Sequence, residues 1–136
     1  PFEYFQALYK ICVPKNKSRF LLVVKESRVI GGIVCLISGN KCIHENYIAG
    51  LDEEYKDSYP SVMATWSAID YACKNGIEKF DFMGAGSPDE DYGVRDFKAK
   101  FGGSLVEPGR FIATHSILKN LIAINGFKLY QKLKYI

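Results

Sequence analysis

No apolar run in the chain approaches the length of a membrane span, which excludes a spanning helix, and nothing in it resembles a signal peptide. The four cysteines (Cys12, Cys35, Cys42, Cys73) form no C-x-x-C pair. They fall in apolar-periodic segments, so they read as buried thiols in a reducing compartment rather than a disulfide framework or a zinc knuckle. No G-x-S-x-G elbow and no reactive-cysteine context is present, which removes serine and cysteine nucleophile chemistry. There is no low-complexity segment and no internal repeat. The net charge of +3 is mild and gives no reason to expect DNA as a partner. Histidine is scarce: His44 lies mid-strand beside Glu45 and His115 precedes the last helix, and with no second partner evident both read as structural. No metal-ligand set is apparent.

What is present is apolar and aromatic. Nearly half of the 136 residues are hydrophobic and 14% are aromatic, enough for one globular domain over residues 1–136. The chain opens at Pro1, directly into helix-like sequence, and is expected to be the C-terminal part of a longer protein. Phe2, Phe5, Leu8, Tyr9 and Cys12 share a helical face that ends at Pro14, and a basic loop, Lys15 to Arg19, reads as a solvated connector. Three strands follow at Phe20–Lys25, Val29–Ser38 and Lys41–Ala49. The first is apolar throughout and is expected to be buried on both faces. Glu26-Ser27-Arg28 makes the first turn, and Gly39-Asn40 suits a hairpin whose first central residue needs positive φ. Gly31-Gly32 predicts a bulge or the close approach of another backbone.

Ser58 is placed as the cap of a helix running to Asn75, with Pro60 in the first turn and Gly76 as the stop. Val62, Trp66, Ile69 and Cys73 form its apolar stripe. The strand Glu78–Met83 follows at once, so the helix is a crossover and this strand should pair in parallel with an earlier one. Ser104–Glu107 and Arg110–His115 read as two short strands. A last helix follows Ser116, amphipathic and basic through Lys119, Lys128, Lys132 and Lys134, with Gly126 as a kink.

The stretch Glu78–Gly103 organises the rest. Phe80-Asp81-Phe82-Met83 is a strand, and Gly84-Ala85-Gly86 breaks it. Ser87-Pro88-Asp89-Glu90 has the form of a capped helix start, Gly93 divides it from a main helix over Tyr92–Phe101, and Gly102-Gly103 closes that helix. On the helix Val94, Phe97 and Phe101 share one face, and Asp91, Arg95 and Lys98 another. The run Phe80-Asp81-Phe82, glycines, Gly93-Val94, then Phe97-Lys98-x-x-Phe101-Gly102-Gly103 resembles the C-terminal part of FemAB-type peptidoglycan-bridge aminoacyltransferases, within the GNAT acyltransferase superfamily. The helix with Trp66 and Gly76 is also similar, and the likeness covers one GNAT-like unit over about Phe20–Thr114.

The resemblance implies an α+β fold with a mixed, mostly antiparallel sheet flanked by helices. It implies an acyltransferase that moves an aminoacyl group to an amine of a cell-wall precursor peptide, in the cytoplasm at the inner membrane surface. It also implies a preceding GNAT-like domain and a substrate site at Phe97 and Lys98. Lys98 would stabilise the oxyanion of a tetrahedral intermediate, against the alternative of a surface lysine paired with Asp91 or Asp96. Asp81 is a general base or amine orienter, or else a cap on nearby backbone. Arg95 would contact phosphate or carboxylate, or form an exposed ion pair. Tyr92 would hold a leaving group or amine by its hydroxyl, or else is a packed, half-buried tyrosine, and Phe97 and Phe101 would shape the substrate site. CoA-dependent GNAT enzymes carry a Q/R-x-x-G-x-G/A loop whose N–H groups hold pyrophosphate. Here that place is taken by acidic Gly50-Leu51-Asp52-Glu53-Glu54-Tyr55. This argues against acetyl-CoA, and the resemblance implies aminoacyl-tRNA as donor, with no bound cofactor. Acyl-CoA with another substrate class, and a non-catalytic binding domain, are the alternatives.

Overall fold

The computed structural model describes residues 2–87, 90–107, 109 and 113–134. The chain packs as two compact units, Pro1–Gly102 and Gly103–Ile136. The first unit runs α1 (Phe2–Cys12), β1 (Ser18–Lys25), β2 (Arg28–Ser38), β3 (Cys42–Gly50), α2 (Pro60–Lys74), β4 (Lys79–Asp81) and α3 (Gly93–Ala99). The four strands lie in chain order, antiparallel from β1 to β3, while β4 is parallel to β3. The meander and the crossover follow from the sequence as expected.

The hairpin turns show how the sequence sets the register. Glu26 and Ser27 both take positive φ, 48° and 66°, between the paired residues Lys25 and Arg28. At the second turn Gly39 carries φ 60° and Lys41 N–H donates to Ser38 C=O at 3.2 Å. Both features expected of Gly31-Gly32 are present. The β1–β2 register shifts at Val23/Val24, and a Cβ on Gly31 would stand 3.1 Å from the Pro60 side chain. Gly31 thus admits the first turn of α2 onto the sheet.

The core lies between the sheet and α2, where Ile33, Cys35 and Ile43 meet Ala64, Ala68 and Ala72. The stripe that faces the sheet is therefore the alanines, at i, i+4 and i+8. Trp66 is 55% exposed, and Val62 and Cys73 are exposed with it. Small residues win because the close approach at Gly31 leaves no depth for an indole. Of the four cysteines Cys35 is fully buried, while Cys12 and Cys42 are half-buried. β1 is a sheet edge, so Leu21 and Val23 pack inward while Leu22 and Val24 face outward rather than being buried on both sides. On the other face α1 packs through Phe5, Leu8 and Cys12, and Tyr9 meets Phe20 edge-on at 5.6 Å.

Tyr59, with φ 46°, occupies the N-cap of α2; Ser58 instead accepts a bond from Lys25 Nζ at 2.8 Å. The other end closes as the sequence implies. Gly76 takes φ 64°, its N–H bonds Cys73 C=O, and Ile77 N–H bonds Ala72 C=O at 2.9 Å, a Schellman closure that seats Ile77 against the core. In the second unit α4 (Ile117–Lys134) starts with Lys119 N–H on Ser116 Oγ at 3.4 Å and runs through Gly126 without a break. Residues 104–107 form no strand. The second expected short strand lies partly outside the described residues, as do Pro88 and Asp89 of the expected helix start. No described helix is long and apolar enough to cross a membrane.

Candidate active site

β3 and β4 stay paired over only three residues, Cys42, Ile43 and His44 with Lys79, Phe80 and Asp81. Beyond that point β3 continues to Gly50, while the other chain turns away at Met83, whose φ is 60°. Asp81 Oδ1 accepts the Met83 N–H at 2.7 Å and so fixes that turn. Two parallel strands that part in this way leave backbone and side chains of β3 facing a cleft.

A second irregularity sets what β3 presents there. The β2–β3 register shifts so that Val34 faces Tyr47 and Cys35 faces Glu45, leaving Asn46 extra. Asn46 and Tyr47 consequently point the same way: Asn46 Nδ2 donates to the Tyr4 hydroxyl at 3.1 Å, and the Tyr47 ring meets Phe5 at 5.1 Å. The bulge reverses the strand's alternation. Ile43, Glu45 and Ile48 can then all face α2, although strict alternation would turn Ile48 away.

Lys98 is carried to the cleft by α3. Its Nζ donates to Phe82 C=O and, at 2.9 Å, to Gly84 C=O, and stands 3.8 Å from Glu45 Oε1. Among the described residues, the expected partners Asp91 and Asp96 form no ion pair with it. An ammonium has three N–H donors. Two are spent on carbonyls of the segment leaving β4, and the acceptor within reach of the third is Glu45 Oε1, in ion-pair range. An aromatic series fixes the height of the lysine: Phe80–Phe82 at 4.8 Å, Phe82–Phe101 at 5.9 Å and Phe101–Phe97 at 5.3 Å.

Glu45 is 5% exposed and receives the Thr65 hydroxyl at 3.5 Å. Burial holds its carboxyl above the ordinary value, with Lys98 and then Thr65 pulling the other way. Neither His44 nor Glu45 stood out in the sequence as a site residue. The signal for both lay in the parallel pairing: seating Ile43 beside Phe80 puts His44 opposite Asp81 and turns Glu45 to the cleft.

The remaining expected residues sit as follows. Asp81 bonds His44 Nδ1 at 3.1 Å, away from the Glu45–Lys98 pair, because strand alternation sends Phe80 and Phe82 to the other side. Arg95 donates to Ser87 C=O at 2.8 Å and Glu90 C=O at 2.6 Å and so ties the loop to α3; among the described residues it forms no ion pair. Tyr92 lies against Gly86, where a Cβ would come within 2.7 Å of its ring. The main helix begins at Gly93, with extended Tyr92 as its N-cap, close to the expected start at Tyr92, while the expected first turn at Ser87–Glu90 spans residues outside those described. The acidic segment after β3 closes the start of α2: Asp52 accepts the Ser61 N–H at 3.0 Å and the Ser61 hydroxyl. Gly50 makes room for this, since a Cβ there would stand 2.6 Å from Ser61 Oγ.

A mixed sheet whose parallel strands part beneath a helix bearing a Phe-Lys pair is the GNAT-like α+β fold, and the class it defines here is the acyltransferases. The chain belongs to the FemAB family, whose model matches residues 16–122. Among solved structures it is similar to an aminoglycoside acetyltransferase from an uncultured soil metagenomic sample, in complex with sisomicin, at TM-score 0.55 and 13% identity. That likeness covers 85% of this chain and 86% of the other. A search of curated proteins finds no match.

Proposed function

We propose that this acyltransferase moves an aminoacyl group from aminoacyl-tRNA to an amine of a peptidoglycan precursor peptide. The observation that carries the reading is Lys98, anchored by two carbonyls where β3 and β4 part and paired with buried Glu45 at 3.8 Å. The neutral acceptor amine adds to the ester carbonyl of the donor. The carbonyl oxygen takes the charge, Lys98 donates to it, and the tRNA hydroxyl leaves as the amine loses a proton. A preorganised donor of this kind is worth about 10²–10³ in rate. Glu45 holds the ammonium from the buried side, and Phe97 and Phe101 set its height. Asp81, bound to His44 and Met83, orients the strand end rather than taking the amine proton. Tyr92 and Arg95 shape the loop beside the substrate. The acceptor is presented at a membrane surface that the lysines of α4 approach, and a preceding GNAT-like domain completes the site.

The choice of donor rests on Asp52. In an acyl-CoA enzyme the N-terminus of the helix after this strand is where a pyrophosphate would bind. Here a carboxylate already occupies the Ser61 N–H, and it would repel a second anion. The test supplies total tRNA charged with labelled amino acids, or labelled acetyl-CoA, with an amine-bearing peptidoglycan precursor. Labelled precursor is expected from the charged tRNA, and Lys98→Ala should cut the rate by about 10²–10³ in a folded protein. Turnover with acetyl-CoA alone would overturn the donor, and an unchanged rate in Lys98→Ala would overturn the role of the lysine.

A further inference from the structure

We propose that Cys42, His44 and Asp81 form a binding site for one divalent transition-metal ion of the zinc class, on the face of β3 opposite Glu45. One candidate ligand atom from each residue lies within 4.8 Å of the other two. The site is independent of the donor and acceptor discussed above.

The geometry first excludes a nucleophile triad. In a thiol–imidazole–carboxylate relay the thiol and the carboxylate bind opposite ring nitrogens. Here both approach the same one: Cys42 Sγ lies 3.9 Å and Asp81 Oδ2 3.1 Å from His44 Nδ1. Three ligand atoms of this kind, gathered around one ring nitrogen, are close enough to share a cation. Tetrahedral zinc, with ligands at about 2.0–2.3 Å, sets neighbouring donor atoms about 3.3–3.6 Å apart. The two separations to His44 Nδ1, 3.9 and 3.1 Å, bracket that range, and the Cys42–Asp81 separation lies within 4.8 Å, so side-chain rotation at Cys42 and Asp81 is what closes the site.

Chemistry and surroundings agree. A thiolate, an imidazole and a carboxylate together suit zinc and disfavour magnesium or calcium, which take oxygen donors. The outer contacts that orient such ligands are also in place. The second ring nitrogen, Nε2, is 3.5 Å from Ser38 Oγ, and Asp81 Oδ1 is held by the Met83 N–H at 2.7 Å, leaving Nδ1 and Oδ2 to the metal. Binding displaces the Cys42 thiol proton to solvent and involves no redox change. The His44 and Asp81 side chains are 26% and 48% exposed, so solvent reaches the site and a water can complete the tetrahedron. Two ligands come from β3 and one from β4, whose three residues are the whole of that strand. The metal would staple β4 to β3 just below the point where they part.

The test uses protein freed of metal by a chelator and titrated with Co²⁺ alone, then with Zn²⁺. A single Co²⁺ per chain is expected, with a thiolate-to-cobalt charge-transfer band that Zn²⁺ removes, together with a rise in Tm. Cys42→Ser should abolish the band and Cys73→Ser should keep it. Absence of the band in the unaltered protein, or its survival in Cys42→Ser, overturns the proposal. If Cys42→Ser does not fold, His44→Gln replaces it. A loss of at least about tenfold in Zn²⁺ affinity is then expected, and an unchanged affinity overturns the site just as surely.

Discussion

His44 and Glu45 are neighbours on one strand, yet they take part in opposite kinds of ionic contact. Glu45 is 5% exposed, meets a lysine whose side chain is 13% exposed, and lies over α2. His44 meets Asp81 with both side chains open to solvent. The difference teaches that the strand's two faces have separate duties. The α2 face is dry, so a charge there is costly unless matched and acts strongly on whatever enters. The other face is wetter, so the His44–Asp81 contact adds little stability by itself and its atoms are open to an incoming ligand.

The sharpest way to break the comparison is Ile43→Ala. Ile43 is fully buried between half-buried Cys42 and His44. Its truncation should cost about 2–5 kcal/mol in denaturant unfolding, through lost burial and a residual cavity. A cost well below that range would mean the α2 face is not the packed side of β3.

A smaller effect tests the dry pair through pH. The folded-state value of Glu45 is raised, so between the ordinary carboxylate value and that raised value the folded chain keeps a proton that the unfolded chain has lost. Stability should therefore fall as pH rises through that window, and level off above it. In metal-free protein, Glu45→Gln should remove this fall. Lys98→Met, which deletes the cation beside the carboxyl, should extend it to higher pH. A melting series in which Glu45→Gln keeps the slope would show that the carboxyl is not the group responsible.

The smallest effect belongs to the wet face. His44→Gln in metal-free protein should change unfolding free energy by no more than about 1 kcal/mol, because an exposed pair is largely screened. A larger loss would make His44 part of the core and erase the contrast.

Much of the first unit was legible because glycines punctuate it. Gly39 marks the second hairpin, Gly76 the end of α2, and Gly31 the seat of a neighbouring backbone. The inward face of α2 was not legible, since Val62-Trp66-Ile69-Cys73 and Ala64-Ala68-Ala72 have equally good helical spacing. Only the depth available over Gly31 decides between them, and that is a tertiary quantity. For the site, Phe97-Lys98 was readable as a local pattern on one helix. Its partner Glu45 and the His44–Asp81 pair were not, because each joins residues far apart in sequence and depends on the register of two parallel strands. The single extra residue at Asn46 further disguises β3, since the apolar alternation before it does not continue after it.

That extra residue ties together two properties that need not have been linked. Asn46 acts on β3 as a one-letter insertion acts on a reading frame: everything after it is read in the other phase. Drawing Asn46 into a regular ladder would send Ile48 from the α2 side to the α1 side and Tyr47 the opposite way, or, if the far end held its place, would swing Glu45 away from Lys98. Losing the residue altogether would restore simple alternation with Glu45 and Ile48 both still toward α2, at the cost of the contact to Tyr4. The carboxylate and the hydrophobic seat of β3 therefore share a face only as long as Asn46 stays out of the ladder.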